Sequence, residues 1–183
     1  MVTVEKKRKY TVDDYMLLEE GAPFQLINYE LIMSPSPTTT HQFIVSRITK
    51  LMLVFLEDQN LGGYAAGTID VLFDSGNVFQ PDFVYVAEER VAEIVKKHIE
   101  GSPDMVIEIL SPSNARYDLR QKKGVYEKYG VKEYIVFDPV AKAADLYVLR
   151  NGSYYLYQHA QNTEILNSVV LCGFAFDLNY LFK

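Results

Sequence analysis

The sequence predicts a mixed α/β (α+β) fold: a mixed β-sheet flanked by helices, with additional antiparallel hairpins. Three observations predict it. Apolar residues recur at helical spacing from Phe43 to Phe55, two short apolar runs at 105–110 and 133–137 have the composition of buried strands, and Asn151-Gly152 sits between two β-rich segments as a hairpin turn. Helices and strands interleave along the chain instead of segregating, so the helices should pack on a sheet. With 183 residues, 49% apolar and 23% charged, the expectation is one domain over residues 1–183 with a substantial core.

Each element follows from local chemistry. Thr11 with Asp14 is a capping signal, and Tyr15, Leu17 and Leu18 continue a short first helix that Gly21 and Pro23 end. Residues 24–33 alternate loosely around Asn28-Tyr29 and read as a strand or a bent hairpin, broken by Ser34-Pro35-Ser36-Pro37. With Thr39 or Thr40 as N-cap, the residues Phe43, Ile44, Ile48, Leu51, Met52 and Phe55 mark the longest helix, reaching about Glu57. Residues 64–73 and 83–87 are β-rich, and the tetrad Asp74-Ser75-Gly76-Asn77 between them predicts that they form a hairpin. A helix over 88–97 precedes the buried strand 105–110, which breaks at Ser111-Pro112-Ser113. A helix over 118–129 closes at Gly130, and the strand 133–137 ends at Asp138-Pro139. Segments 145–149 and 154–158 pair around Asn151-Gly152.

Composition excludes several classes of function. With 18 Lys+Arg against 24 Asp+Glu the net charge is −6, which argues against a protein that coats nucleic acid by global charge. It leaves room for an enzyme with a local basic strip, or one whose bound cation reverses the field at the site. No apolar run approaches the ~20 residues that cross a bilayer, so no membrane partner is expected. No apolar segment follows the basic cluster of Lys6, Lys7, Arg8 and Lys9, which predicts a cytoplasmic protein. Cys172 is the single cysteine, and only His41, His98 and His159 are present. Thiolate-rich and histidine-rich metal centres are thereby disfavoured, and any metal should sit on carboxylates.

The candidate chemistry rests on few side chains. Glu108 lies inside an apolar strand, where an ionised carboxylate is costly without a partner or a metal. An exposed sheet face or a structural Lys or Arg partner would account for it equally well. Asp82 follows Pro81 at the entry to residues 83–86, and alone it reads more readily as a turn or cap residue. In combination, two carboxylates on sheet strands can share a hard cation such as Mg²⁺. Lys122 shares a helix face with Val125, Tyr126 and Tyr129, at offsets of three, four and seven. Its plainer reading is a surface pair with Asp118. His41, at the start of the long helix, suits a cap, a phosphate contact or a proton carrier. His98 and His159 have no supporting context, and the 14 tyrosines serve packing as readily as base stacking.

The ordered set Pro81-Asp82, residues 104–113, Asp118, Lys122 with Tyr126, Gly130 to Tyr134, and Asp138-Pro139 resembles the large bacterial family of restriction-endonuclease-like proteins within the PD-(D/E)XK nuclease superfamily. The resemblance spans nearly the whole chain. It implies a restriction-endonuclease-like core, with Asp82 and Glu108 as the superfamily's two acids. The superfamily lysine two residues after the second acid is replaced by Leu110, and Lys122 on the following helix matches in its stead. Glu30, Ser36-Pro37 and His41 also match, whereas Gln25 stands where the family usually has Glu and Tyr29 where it usually has Gly.

The resemblance further implies Mg²⁺ or Mn²⁺ held by Asp82, Glu108 and the backbone carbonyl of Ile109, with Lys122 orienting the attacking hydroxide. Glu30 would be a water-mediated ligand of a second metal, and His41 a phosphate or proton contact. The expected function is a metal-dependent nuclease acting on DNA rather than RNA, as a homodimer that addresses two strands. The alternative is a nuclease-like domain without turnover that binds nucleic acid or protein. A weaker possibility is a structural oligomer paired through exposed Tyr154, Tyr155 and Tyr157.

Overall fold

The computed structural model describes residues 8–111 and 117–183, without the side chains of Tyr117 and Asp118. The expected break at Pro112-Ser113, Lys6 and Lys7 of the basic N-terminal cluster, and the side-chain pairing of Asp118 therefore lie outside the described residues.

Helix α1 (Val12–Tyr15) starts at Thr11, whose hydroxyl accepts from the Asp14 amide while the Asp14 carboxylate accepts from the Thr11 amide. Strands β1 (Phe24–Ile27) and β2 (Glu30–Met33) pair antiparallel, which settles the bent-hairpin reading. Asn28 and Tyr29 both take positive φ, 51° and 65°, as a tight two-residue turn demands. Gly is the residue that takes a positive φ at position 29 at the least cost. Here the Tyr29 ring packs against Gly76, where an added Cβ would come within 2.7 Å of it, and the phenol bonds the Ser75 hydroxyl.

Helix α2 (Thr39–Asp58) is capped by Thr38, one residue earlier than predicted, and buries Ile44, Ile48, Met52 and Leu56 along one stripe. The next segment keeps the expected antiparallel pairing in part. Strands β3 (Tyr64–Ala66), β4 (Val71–Asp74), β5 (Asn77–Phe79) and β6 (Phe83–Val86) replace two long strands. Residues 64–66 pair antiparallel with 83–86 as expected, whereas the turn at Asp74-Ser75-Gly76-Asn77 joins β4 to β5 in a second hairpin that belongs to another sheet. Thr68, at φ 53°, interrupts the run 64–73, and residues 77–79 form a strand of their own.

Helix α3 (Glu88–Ile94) is shorter than the predicted 88–97, because Val95 turns extended and bridges Ile99. There follow β7 (Ile99–Glu100), β8 (Met105–Ile109), a π-helical turn Tyr117–Lys122 that runs into α4 (Lys123–Tyr129), and β9 (Glu133–Asp138). Gly130 closes α4 at φ 86°. The hairpin β10 (Ala143–Arg150) and β11 (Ser153–Gln161) turns at Asn151-Gly152 as expected. Strands β12 (Ile165–Asn167) and β13 (Ala175–Asp177) and helix α5 (Leu178–Leu181) complete the chain. The tyrosines proposed as an oligomer surface are less available than expected. Tyr154 and Tyr155 are half-buried, and the Tyr154 hydroxyl donates to the Val131 carbonyl at 2.8 Å.

The described residues form two mixed sheets, ordered β2-β1-β5-β4-β7 and β11-β10-β9-β8-β6-β3, and a small β12-β13 pair. Strands β8 and β9 run parallel, and β6 lies antiparallel to β8. Alternation along β6 and β8 sorts the core. Phe83, Tyr85, Met105, Ile107 and Ile109 face α2 and the C-terminal segment, whereas Val84, Val86 and Val106 face α4 and the five-stranded sheet. Glu108 therefore faces α4. Asp82, two residues before Val84, falls on that same side.

Candidate active site

Register brings the two acids together. Phe83 lies opposite Ile107 and Val84 opposite Val106, so extending the ladder by one place sets Asp82 opposite Glu108. Both line a cleft of about 950 Å³, together with His41, Ile109 and Lys122. Glu30 opens β2 and is half-buried.

Glu108 is buried, and so is the cation that meets it. Lys122 Nζ donates to Glu108 Oε1 at 2.9 Å, and the Tyr126 hydroxyl donates to the same oxygen at 2.6 Å. Only about 3% of each of the Lys122 and Glu108 side chains is exposed. The predicted helix face, on which Lys122 and Tyr126 stand four residues apart, is the face that meets the sheet. The π-helical turn ending at Lys122 was not legible from the sequence, where the segment reads as ordinary helix. Such turns are frequent at functional sites because they re-aim side chains within a helix.

Asp82 is held differently. Its Oδ2 accepts from the Ile109 amide at 2.7 Å and sits 3.1 Å from His41 Nε2. The same β8 residue whose carbonyl is the expected metal donor thus fixes Asp82 through its amide. His41 lies in the first turn of α2, so the positive end of a 20-residue helix faces this carboxylate. Both bonds fall on Oδ2.

The donor chemistry fits a hard divalent cation. Two carboxylates and a backbone carbonyl are oxygen ligands, and magnesium is commonly bound by one or two carboxylates while it keeps waters and takes substrate phosphates. No group of three or more His, Cys, Asp or Glu arranged to hold a metal lies among the described residues. Magnesium commonly completes such a shell with water and substrate phosphate.

Four further residues stand at or beside the cleft, Tyr126 through its bond to Glu108 and Tyr15, Asp70 and His98 in its lining. Tyr126 was visible as a face-mate of Lys122, with nothing to mark its hydroxyl. Tyr15, Asp70 and His98 enter only through the fold, which brings the loop before β4 beside α1 and β7.

Comparison with known proteins accords with this geometry. The family model Uma2, described as "Putative restriction endonuclease", matches residues 12–179. The chain belongs to that family. An uncharacterized protein, sll1609, of Synechocystis sp. is 24% identical over 141 residues, covering 75% of this chain and 80% of its own. A crystal structure from Anabaena variabilis, described as a putative nuclease belonging to DUF820, superposes with a TM-score of 0.78 at 19% identity, covering 94% of this chain and 97% of that one. The fold is thus that of a nuclease-like Uma2 protein, a mixed sheet between helices. Among the described residues no helix is long and apolar enough to cross a membrane.

Proposed function

We propose that this Uma2 protein is a divalent-metal-dependent nuclease that cleaves DNA. The observation that carries the reading is the convergence of Asp82, Glu108, Lys122 and His41, from four separate segments, on one cleft. Asp82, Glu108 and the Ile109 carbonyl would hold Mg²⁺ or Mn²⁺. When bound, such an ion acidifies a water and offsets charge developing on a phosphate.

The chain's own residues supply the rest. Lys122, held dry by burial, places a fixed positive charge beside Glu108, and a preorganised charge in a water-poor site costs little reorganisation during reaction. Tyr126 shares Glu108 Oε1 with Lys122 and so fixes the rotamer of the acid. His41, bonded through Nε2 to Asp82, orients that carboxylate and can carry a proton at the rim of the cleft. A homodimer belongs to the same proposal, since two related clefts suit two strands. Light scattering at twice the chain mass supports the dimer, and a monomer removes it.

The test is hydrolysis of single- and double-stranded DNA with Mg²⁺ or Mn²⁺. Cleavage is expected with either ion and should be lost in Asp82→Ala, Glu108→Ala and Lys122→Ala. Cleavage that survives all three substitutions excludes this site.

A further inference from the structure

The cleft continues past the carboxylate pair. Its volume of about 950 Å³ is near the top of the ~300–1,000 Å³ range of small-ligand pockets, more than one phosphate needs. The adjoining part is built around Asp70. The Tyr15 hydroxyl and Gln80 Nε2 donate to Asp70 Oδ1 at 3.0 and 2.9 Å, and Asp70 Oδ2 faces His98 Nδ1 at 3.6 Å. Burial, reinforced by the negative charge of Asp70, pushes the Tyr15 phenol well above its ordinary value, so it remains a donor. The Ile99 amide donates to the Asp70 carbonyl at 2.9 Å, which ties His98 and Lys97 to this loop.

This geometry gives Asp70 a task unlike that of Asp82. Its carboxylate accepts from two neutral donors on Oδ1 and lies 3.6 Å from the Nδ1 edge of the His98 ring on Oδ2, which leaves Nε2 on the far side of the imidazole. Among the described residues, the Lys, Arg and His side chains lining the cleft are His41, Lys97, His98 and Lys122. Two of these stand at the carboxylate pair. Lys97 and His98 line the same cleft as the carboxylate pair, with His98 beside Asp70, whose other oxygen accepts from Gln80, two residues before Asp82.

We propose that Lys97 and His98, the latter beside Asp70, form a second phosphate-binding subsite that takes a backbone phosphate neighbouring the one cleaved. The inference rests on the nuclease reading of the cleft, and its test separates the two. The chain has three histidines, so imidazole NMR signals resolve each one. His159, on β11 beside Asp145, lies outside the cleft and serves as the internal reference.

The probe is a short single-stranded phosphorothioate oligonucleotide, titrated with calcium present as an oxygen-seeking cation. His41 and His98 should both shift while His159 stays, and an uncharged methylphosphonate analogue should leave His98 in place. Lys97→Gln should weaken binding about fivefold and flatten the salt dependence of log K by about 0.7, the loss of one single-strand phosphate contact. A shift of His41 without His98, or an equal His98 response to the uncharged analogue, overturns the subsite and leaves the nuclease reading intact. Silence of all three histidines removes both.

Discussion

Strands β8 and β9 bury acids at both ends, and the two ends satisfy them in different ways. At the start of β8, Asp104 is 1% exposed and meets Lys132 at 2.7 Å and Arg90 at 3.0 Å, while its second oxygen accepts from the Ala87 amide. Beside it, Glu133 opens β9 fully buried and accepts from the Ser168 hydroxyl and the Val169 and Val170 amides. These partners tie α3 and the loop before β13 to the sheet. At the other end, Asp82 and Glu108 line the large cleft, and each spends its described hydrogen bonds on a single oxygen. Burial of a carboxylate is thus common to both ends. What distinguishes the cleft is convergence of acids and bases on accessible space, at the carboxyl end of a parallel strand pair where sheets of this kind place their ligands.

The largest expected effect lies in the chemistry. Asp82→Asn and Glu108→Gln, which keep shape and lose charge, should each cut cleavage by on the order of 10²–10³-fold or more, measured as initial rates on labelled DNA. Asp104→Asn should retain the cleavage rate per folded molecule. Equal loss at Asp104 would break the distinction between the two ends.

Stability should respond in the opposite sense. Asp104→Ala strands Arg90 and Lys132, and it should cost about 2 to 3 kcal/mol, less than for a fully buried pair because both cations reach solvent. Urea midpoints at unchanged slope report this directly. Tyr126→Phe removes one hydrogen bond to a buried carboxylate and should cost about 1.5 kcal/mol, with the same readout.

The smallest effect is also the sharpest test of how each structural acid is held. Burial pushes the Glu133 carboxyl above its ordinary value of 4.5, opposed by its three donors. Its contribution to stability is therefore present in acid and declines as pH rises through the folded-state value. Asp104 behaves oppositely. Burial would raise its carboxyl, yet the Lys132 and Ala87 hydrogen bonds and the Arg90 charge win and hold it below 3.8, so its stabilisation is lost as pH falls through that lowered value. Urea midpoints from pH 3 to 8 should lose the decline above 4.5 in Glu133→Gln and lose part of the acid limb in Asp104→Asn.

The fold class, the long helix and the Asn151-Gly152 hairpin were legible because each depends on local periodicity or turn chemistry. The pairing of 64–66 with 83–86 was legible too, but the β4–β5 hairpin inserted between them was not, since a strong turn tetrad says that two strands meet and not which two. Glu108 stood out as a charge within an apolar run. The same criterion applies to Glu133, and nothing local separates a carboxylate answered by backbone amides from one answered by Lys122. His98 gave no signal, because its meaning depends on Asp70, 28 positions away in the chain and joined to it only by the register of β4 with β7.

Manganese binding followed by electron paramagnetic resonance tests the central claim without reference to turnover. The account predicts a saturable Mn²⁺ site in the wild-type protein that is lost in both Asp82→Asn and Glu108→Gln and kept in Asp104→Asn. A site untouched by the first two substitutions, or abolished by the third, contradicts it.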